Sequence, residues 1–316
     1  MRDRILRLGV DELRHALDLI DPVRLVADEL VGRETGRAGP KPPQNCRLVS
    51  APGTRTDTVL LEDLHDGPKC LMPGSCLREL RDAALTTLAA RELLARGVVT
   101  ATALGSGLSV QLQITVAARH LPGVSHVMVF PATGENEVPV ELTVLDLLDQ
   151  VGIDLSLAAE VSEAVFGANL VIITGAGQDQ LRIGQVTCGA VLVNASGRDL
   201  PGSFVEGVDE IYVDDARLLD DNRHRQFIRV RLTGSGTAPE SFRPIEGWHP
   251  HRGWRGRRQV DADVGEVLTG AHPGRTRADD VLLVELLGMR ELDVPLAVRL
   301  RQAALEHGIG VWTSEQ

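Results

Sequence analysis

The chain has 316 residues, of which 43% are hydrophobic and 24% charged, and its formal net charge is −11. This acidic balance argues against nucleic acid as the main partner, because binding to phosphates needs a basic protein face. No stretch approaches the roughly 18 continuous apolar residues of a membrane span, and the charged start "MRDRILRLGV" differs from a secretion signal. We therefore expect a cytoplasmic globular protein of two domains, with no membrane partner.

The first part of the chain is predicted to be mostly helical. Residues 1–35 show helical spacing of apolar side chains, with Asp21 and Pro22 as the N-cap and first-turn pair of one helix. A Gly- and Pro-rich loop, "GRETGRAGPKPPQ", follows. The next predicted elements are strands at 46–51 and 56–63 and a long helix from Leu77 to Arg96 that ends at Gly97.

From Val98 onward, strand-like and helical runs alternate, which is typical of a doubly wound parallel sheet. A Gly-, Pro-, Trp- and His-rich stretch at 233–260 is predicted to be a long loop, acting as a lid or disordered. The predicted strands are 98–104, 126–130, 153–157, 169–174, 190–196 and 210–214, and the predicted helices are 108–120, 138–150, 160–166, 279–289 and 293–308.

The turn "LGSGLSV" lies between a predicted strand and a predicted helix, the position that a dinucleotide-binding loop requires. Gly105 allows the tight turn, and Gly107 lets the backbone approach a pyrophosphate at the helix N-terminus. Val110 stands where the motif favours a small residue. The acidic ribose ligand expected about 20 residues later is missing, since the next strand is followed by Ala132 and Thr133. The turn alone leaves a dinucleotide site and a structural turn both open.

Other polar residues are candidates for chemistry or for ordinary structural roles. Asp199 follows a predicted strand, so it is either an acid/base group or a turn aspartate. Arg78 and Arg81 share a helix face, where they bind a carboxylate or form solvated ion pairs. The loop "GWHPHRGWRGRR" lacks a third metal ligand at a sensible spacing and is interpreted as a solvated loop or lid. The four cysteines also lack metal-ligand spacing, so we expect reduced thiols and no metal.

Three segments resemble the ornithine cyclodeaminase and mu-crystallin family, and together the resemblance covers residues 55–230 and 264–311. They are the Arg-containing helix "LRELRDAALTTLAARELLAR", the run "LGSGLSVQLQ…GANLVIITGAG…VLVNASGRDLPG", and the closing segment "GEVLTGAHPGRTRADDVLLVELLGMRELDVPLA". The closing segment carries the most specific match.

The resemblance implies an NAD(P)-dependent enzyme that acts on the Cα–N bond of an amino acid or its imine, with NAD favoured over NADP. Such an enzyme is a cyclodeaminase, a ketimine reductase, or an amino-acid dehydrogenase or N-substituted amino acid synthase. By position, Arg81 matches the family arginine that holds the substrate carboxylate, and Asp199 matches its acid/base aspartate. Arg47 takes the place of the family's substrate-binding lysine, so the resemblance makes it a catalytic and substrate-binding candidate that polarises a carbonyl or clamps a carboxylate. Because a guanidinium stays charged, it is no ordinary proton shuttle. Cofactor contacts are expected at Gly105, Ser106, Gly107, Leu108, Ser109, Thr133, Thr174 and Gly175.

The expected fold is therefore a Rossmann-type doubly wound sheet with a smaller α+β domain for substrate binding and dimerisation. The smaller domain is predicted to comprise residues 1–96 and 278–316, and the Rossmann domain residues 97–277. A small-molecule amino acid, imine or keto acid is the expected substrate, and a homodimer the expected assembly. Two alternatives remain: a non-catalytic cofactor- or ligand-binding protein of the mu-crystallin type, and a cofactor-free scaffold in which Val110 closes the site.

Overall fold

A computed structural model describes residues 4–36, 46–50, 57–63, 67–131, 139–222, 228–231 and 258–314. The strands within these ranges are β1 (Arg4–Arg7), β2 (Cys46–Ser50), β3 (Thr58–Asp63), β4 (Lys69–Pro73), β5 (Val99–Leu104), β6 (Val124–Phe130), β7 (Asp154–Leu157), β8 (Leu170–Ile173), β9 (Val191–Asn194), β10 (Glu210–Val213), β11 (Ile228–Arg231), β12 (Arg258–Val260), β13 (Ala262–Asp263), β14 (Leu282–Glu285) and β15 (Val311–Ser314). The helices are α1 (Val10–Leu17), α2 (Pro22–Thr35), α3 (Gly74–Leu93), α4 (Gly107–His120), α5 (Leu142–Val151), α6 (Val161–Val165), α7 (Gly202–Val205), α8 (Val264–Thr269) and α9 (Asp293–His307).

The larger sheet has eight strands in the order β13-β10-β14-β9-β8-β5-β6-β7, and every neighbouring pair is parallel. Its strands alternate between two cores, one on each face, because successive side chains point to opposite sides of a sheet. From β5 the chain proceeds to β6 and β7 on one side, and then returns to β8 and β9 on the other. This arrangement confirms the predicted Rossmann-type doubly wound sheet and places its topological switch point between β5 and β8.

The smaller sheet has five strands in the order β15-β1-β4-β3-β2 and combines parallel and antiparallel pairs. One of its faces contributes Leu6, Leu61, Cys70 and Met72 to the same core that covers one face of the larger sheet. Helix α3 lies in this shared core and contacts α2, α4, α9, β3, β4 and β9. The two sheets are thus joined by buried apolar packing around one helix.

Two segments predicted to be helical form strands. Residues 4–7 form the strand β1 instead of a helix, because they pair with β4 and β15. The apolar run "DDVLLVELLGM" at 279–289 contains β14, which lies between β9 and β10 with its four residues buried. A continuous apolar run indicates either a buried parallel strand or a buried helix, and here both faces of the strand are covered. The chain therefore returns to the smaller sheet only after Glu285, later than the predicted boundary at 278.

The long predicted helix is displaced by three residues at each end. It begins at Gly74, whose N–H donates to the carbonyl of Asp57 at 2.7 Å, and it ends at Leu93. Leu94 already has an extended backbone, and the carbonyl of Leu93 accepts a 2.7 Å bond from Nε of Arg275. The helix end is therefore set by a residue far away in sequence rather than by Gly97. By contrast, the predicted cap is confirmed, since the Asp21 side chain accepts the N–H of Arg24.

The segment "HPGRTRADD" lies before β14, at the amino edge of the larger sheet, opposite to the edge where ligands bind in such folds. Its Arg275 guanidinium donates to the carbonyls of Leu93, Gly189 and Asp280 at 2.6–2.8 Å. Burial lowers the pKa of Arg275 despite nearby carboxylates. This segment is thus a structural clamp that joins α3, the start of β9 and the start of β14.

None of the helices in the described ranges combines the length and the apolar character that crossing a bilayer requires. The predicted loop at 233–260 lies largely outside the described residues, and so do its Trp and His side chains.

We predict that Arg275→Lys lowers the free energy of unfolding by about 2–4 kcal/mol, because an ammonium group cannot reach several carbonyls in the planar geometry of a guanidinium. Urea unfolding followed by circular dichroism measures the change. The control is Arg277→Lys in the same segment, where the side chain is 70% exposed, and we expect a change within about 0.5 kcal/mol. Equal effects of the two substitutions would contradict the clamp.

Candidate nucleotide-binding and catalytic site

The carboxyl ends of β5 and β8 meet at the switch point and are joined by Thr174. Its N–H and its Oγ1 donate to the carbonyl of Leu104 at 2.9 and 3.1 Å. Gly105 has φ +151°, and a Cβ atom placed on it lies only 1.9 Å from Thr174 Oγ1. Glycine is therefore required at residue 105 both by its backbone conformation and by the close approach of the neighbouring loop.

The next glycine of the turn faces open space. Gly107 has φ +69°, and no heavy atom lies within 4 Å of a Cβ placed on it. It is the first residue of α4, and the side chain of the N-cap Ser106 makes no capping hydrogen bond. The N–H groups of a first helical turn have no partners within the helix and favour an anion. Gly175, after β8, has φ +143° and the same open surroundings.

Val110 has no exposed surface and packs in the core that the two sheets share. Its Cγ2 lies 3.3 Å from the position of a Cβ on Gly105. It supports the turn from the core side, while the space beside Gly107 stays open. The open turn at the start of α4 therefore fits an anionic group such as a pyrophosphate. Thr133 lies outside the described residues.

Asp199 lies in the loop between β9 and α7, at the same carboxyl edge of the sheet. It is partly buried and lies between the exposed Arg198 and the buried Leu200. Asp199 thus follows β9, and Thr174 follows the neighbouring strand β8. Helix α3, which carries Arg81, packs against β9.

The guanidinium of Arg81 is nearly inaccessible and lies between two carboxylates. Nε donates to Asp82 at 3.0 Å, and Nη1 donates to Asp293 at 2.8 Å, with 4% of the Arg81 side chain exposed. Burial raises the pKa of Asp82 to about 6, although Arg81 acts in the opposite direction. Burial also raises the pKa of Asp293. Among the described residues, these two ion pairs engage Nε and Nη1 of Arg81.

Arg47 lies on the other face of the smaller sheet. The preceding Cys46 contacts Arg301 of α9, and alternation along β2 turns Arg47 away from the helices. Its Nε donates to Glu62 on β3 at 2.8 Å, and 62% of its side chain is exposed. The structure does not bring Arg47 to the face on which Arg81 lies.

The acidic partners of Arg81 were not predicted from the sequence. Asp82 is its direct neighbour in the chain, whereas Asp293 is 212 residues away and opens α9. A carboxylate beside an arginine on an apolar helix was the available signal for Asp82; nothing local indicated Asp293. Within the described ranges, no group of three or more His, Cys, Asp or Glu side chains is arranged to hold a metal ion.

Comparison with known proteins identifies the family. The sequence profile of the Ornithine cyclodeaminase/mu-crystallin family matches residues 42–308. The chain belongs to this family. It is 24% identical over 256 residues to the N-((2S)-2-amino-2-carboxyethyl)-L-glutamate dehydrogenase of Staphylococcus aureus, an alignment that covers 80% of the chain and 69% of that protein.

Solved structures share the fold over nearly the whole chain. The Δ(1)-pyrroline-2-carboxylate reductase of Thermococcus litoralis, in complex with NADH and L-proline, gives a TM-score of 0.67 at 15% identity over 97% of this chain and 99% of that one. An archaeal alanine dehydrogenase dimer with bound NAD gives a TM-score of 0.65 at 15% identity over 98% and 99%. At this identity the similarity establishes the fold, a Rossmann-like sheet with a smaller second unit.

We predict that Gly107→Ala weakens NADH binding at least about tenfold, because its methyl group enters the open space at the N-terminus of α4. The control is Gly152→Ala, which imposes a similar left-handed backbone, φ +72°, in equally open surroundings at the C-cap of α5. Both substitutions are expected to lower stability by about 1 kcal/mol, so only the binding constants differ. Fluorescence titration with NADH measures this, and unchanged affinity in Gly107→Ala would contradict the phosphate cradle.

A second prediction concerns the pKa of Asp82, which rises from 3.8 to about 6 on folding. The folded protein therefore takes up this proton at a higher pH than the unfolded chain, so its stabilising effect is complete below about pH 4 and disappears as the pH rises through 6. Asp82→Asn removes the effect. As the pH rises from 4 to 7, the stability of the variant relative to wild type increases by up to about 3 kcal/mol. Urea unfolding at both pH values tests this, and a pH-independent difference would contradict it.

Proposed function

We propose that this protein is an NAD(P)-dependent oxidoreductase that acts on the Cα–N bond of an amino acid or of the corresponding imine. The observation that carries the proposal is the open glycine turn at the start of α4, beside Thr174 at the switch point of the sheet. The names of the relatives support the same reaction type, since they are a dehydrogenase of an amino-acid derivative, a reductase of a cyclic imine and an alanine dehydrogenase.

A nicotinamide cofactor bound at this edge supplies the two-electron redox chemistry. The N–H groups at the start of α4 hold its pyrophosphate, and Thr174 with Gly175 lies where the ring approaches the substrate. Ser106, Leu108 and Ser109 line the same turn. We infer NAD as the preferred cofactor over NADP, and titration with the two reduced cofactors decides between them.

Arg81 is proposed to orient the substrate through its carboxylate. Two side-chain ion pairs fix the guanidinium before a ligand arrives, so Nη2 is held in one position at low entropic cost. Arg47 is proposed to have no part in proton transfer, because it stays charged and is paired with Glu62.

Asp199 is proposed to exchange a proton with the substrate nitrogen as general acid/base. Asp199 lies in the loop after β9, and Thr174 directly follows the neighbouring strand β8. General acid/base catalysis needs such a group within hydrogen-bond reach of the reacting nitrogen. Depending on the substrate, the same residues serve a cyclodeaminase, a ketimine reductase or an amino-acid dehydrogenase.

A second candidate is a nicotinamide- or small-ligand-binding protein without turnover. It is favoured by Arg81, whose charge is already balanced by two carboxylates. The absorbance of the purified protein near the band of reduced nicotinamide, followed by addition of amino acids and imines, separates the two. Cofactor binding with a redox change supports the enzyme, binding without change supports the ligand-binding protein, and failure to bind cofactor contradicts the enzyme.

We further propose a homodimer and a smaller domain that binds substrate and mediates dimerisation. The archaeal alanine dehydrogenase of the same fold is a dimer. The smaller sheet has a face opposite to the helices, on which Val49, Leu60 and Leu71 lie side by side in register. Such a row of aliphatic side chains is suited to burial against a second copy.

We predict that Asp199→Asn lowers kcat by at least about a hundredfold while NADH binding stays within about twofold, since an amide cannot exchange the required proton. Steady-state kinetics with an amino acid or imine that wild type turns over, together with NADH titration, measures both quantities. The control is Asp179→Asn, an exposed aspartate in the loop after the neighbouring strand β8, which should leave kcat unchanged. Full activity in Asp199→Asn would rule out the assignment.

A further inference from the structure

The last residue of β9, Asn194, is fully buried and uses every hydrogen-bonding group of its side chain. Nδ2 donates to the carbonyl of Arg198 and to Oε2 of Glu285, both at 2.8 Å. Oδ1 accepts the N–H of Ser196 at 3.2 Å and its hydroxyl at 2.6 Å. An amide has two donors and two acceptor sites, so all four are satisfied. The orientation of the amide is also fixed, because two acceptors lie on one side and two donors on the other.

Glu285 anchors this amide from the adjacent strand. It is the last residue of β14 and lies directly opposite Asn194 in the register of the two parallel strands. Only 2% of its surface is exposed. A buried carboxylate needs hydrogen-bond donors to offset its loss of water, and Asn194 provides one. The pair therefore holds the Asn194 side chain in place from within the rigid sheet.

The other side of the amide holds the loop that carries Asp199. Ser196 Oγ donates to Asn194 and in turn accepts the N–H of Arg198 at 3.1 Å. The chain from 195 to 198 is thereby folded around one side chain, and Asp199 follows directly. On its far side, Leu200 is 2% exposed and packs in the core on the other face of the sheet. Asp199 is thus held between two fixed neighbours.

We infer that Asn194, oriented by Glu285, is the positioning residue that fixes the loop presenting Asp199. The inference rests on the proposed role of Asp199 as general acid/base and extends it to two buried residues of the sheet. A proton-transfer group contributes fully only when it is held at hydrogen-bond distance from the reacting atom. A loop would not keep that distance by itself, and here the holding bonds come from the ends of two strands.

The amide cannot be replaced by a carboxylate of the same shape. Asn194→Asp loses both donors and sets two carboxylates 2.8 Å apart, next to the carbonyl of Arg198. Adding Glu285→Gln to this variant supplies a new donor to the aspartate and removes the repulsion. The double variant restores the anchor between the strands, although the bond to Arg198 stays lost. Coupling between the two substitutions is therefore specific to the proposed network.

The first test is amide hydrogen exchange on the whole protein, read from peptides covering residues 195–200. We expect Asn194→Asp to raise exchange there at least about fivefold, and the double variant to recover part of the protection. The control is Asn169→Asp. Asn169 also bridges two backbone groups, Thr100 N–H and Val98 C=O at 2.8 and 2.9 Å, but at the amino edge of the sheet. It should leave exchange at 195–200 unchanged.

The second test uses an amino acid or imine that wild type turns over. We expect Asn194→Asp to lower kcat about ten- to a hundredfold, to shift the pH profile of kcat, and to leave KM and the NADH affinity within about twofold. The double variant should recover several-fold of kcat. Asn169→Asp, which acts only on stability, should leave kcat and its pH profile as in wild type.

Each outcome decides the matter. Unchanged exchange at 195–200 in Asn194→Asp overturns the anchoring, and the absence of recovery in the double variant overturns the role of Glu285. Increased exchange with unchanged kcat overturns the catalytic meaning of the anchor. If wild type turns over none of the substrates, the proposed function fails, whereas the exchange experiment still decides whether Asn194 holds the loop.

Discussion

The structure depends on the burial of the central part of helix α3. From Ala83 to Ala90 every residue of this helix is buried, and it contacts strands of both sheets. An apolar helix of this length cannot remain in water, so the smaller sheet and the larger sheet are held together by covering it. It carries Arg81 and packs against β9, and its last carbonyl accepts a hydrogen bond from Arg275 near the amino edge. One helix therefore links the buried Arg81 to both sheets.

Burying a charge on that helix imposes the second constraint. Arg81 is out of solvent and requires partners, and Asp82 and Asp293 provide them. Burial in turn raises the pKa values of both aspartates. The result is a buried arginine whose guanidinium is fixed by two ion pairs. The same principle recurs at the carboxyl edge, where Glu285 and Asn194 are buried as a hydrogen-bonded pair below the Asp199 loop.

The functional elements divide between the two edges of the sheet. The glycine turn, Thr174 and the Asp199 loop lie at the carboxyl edge, where strand ends leave N–H groups and side chains for a ligand. The segment "HPGRTRADD" lies at the amino edge, and its arginine binds main-chain carbonyls. The most specific part of the family resemblance therefore reflects the stability of the fold, whereas the shorter turn "GSGLSV" belongs to the ligand edge.

Alternation of strands and helices, the glycine turn and the cap at Asp21 followed from the sequence alone, because each depends on residues within one element or one turn. The secondary structure of residues 279–289 and 4–7 did not follow from the sequence. A short run becomes a strand only when neighbouring strands offer hydrogen bonds on both sides. The partners of Arg81 and the four bonds of Asn194 were equally beyond the sequence, because Asp293 and Glu285 lie 212 and 91 residues away. The sequence thus determined the glycine turn and supplied the candidate residues for nucleotide binding and proton transfer. Only the tertiary structure decided which carboxylates balance Arg81 and which hydrogen bonds fix Asn194, since burial and contact between distant residues arise from packing.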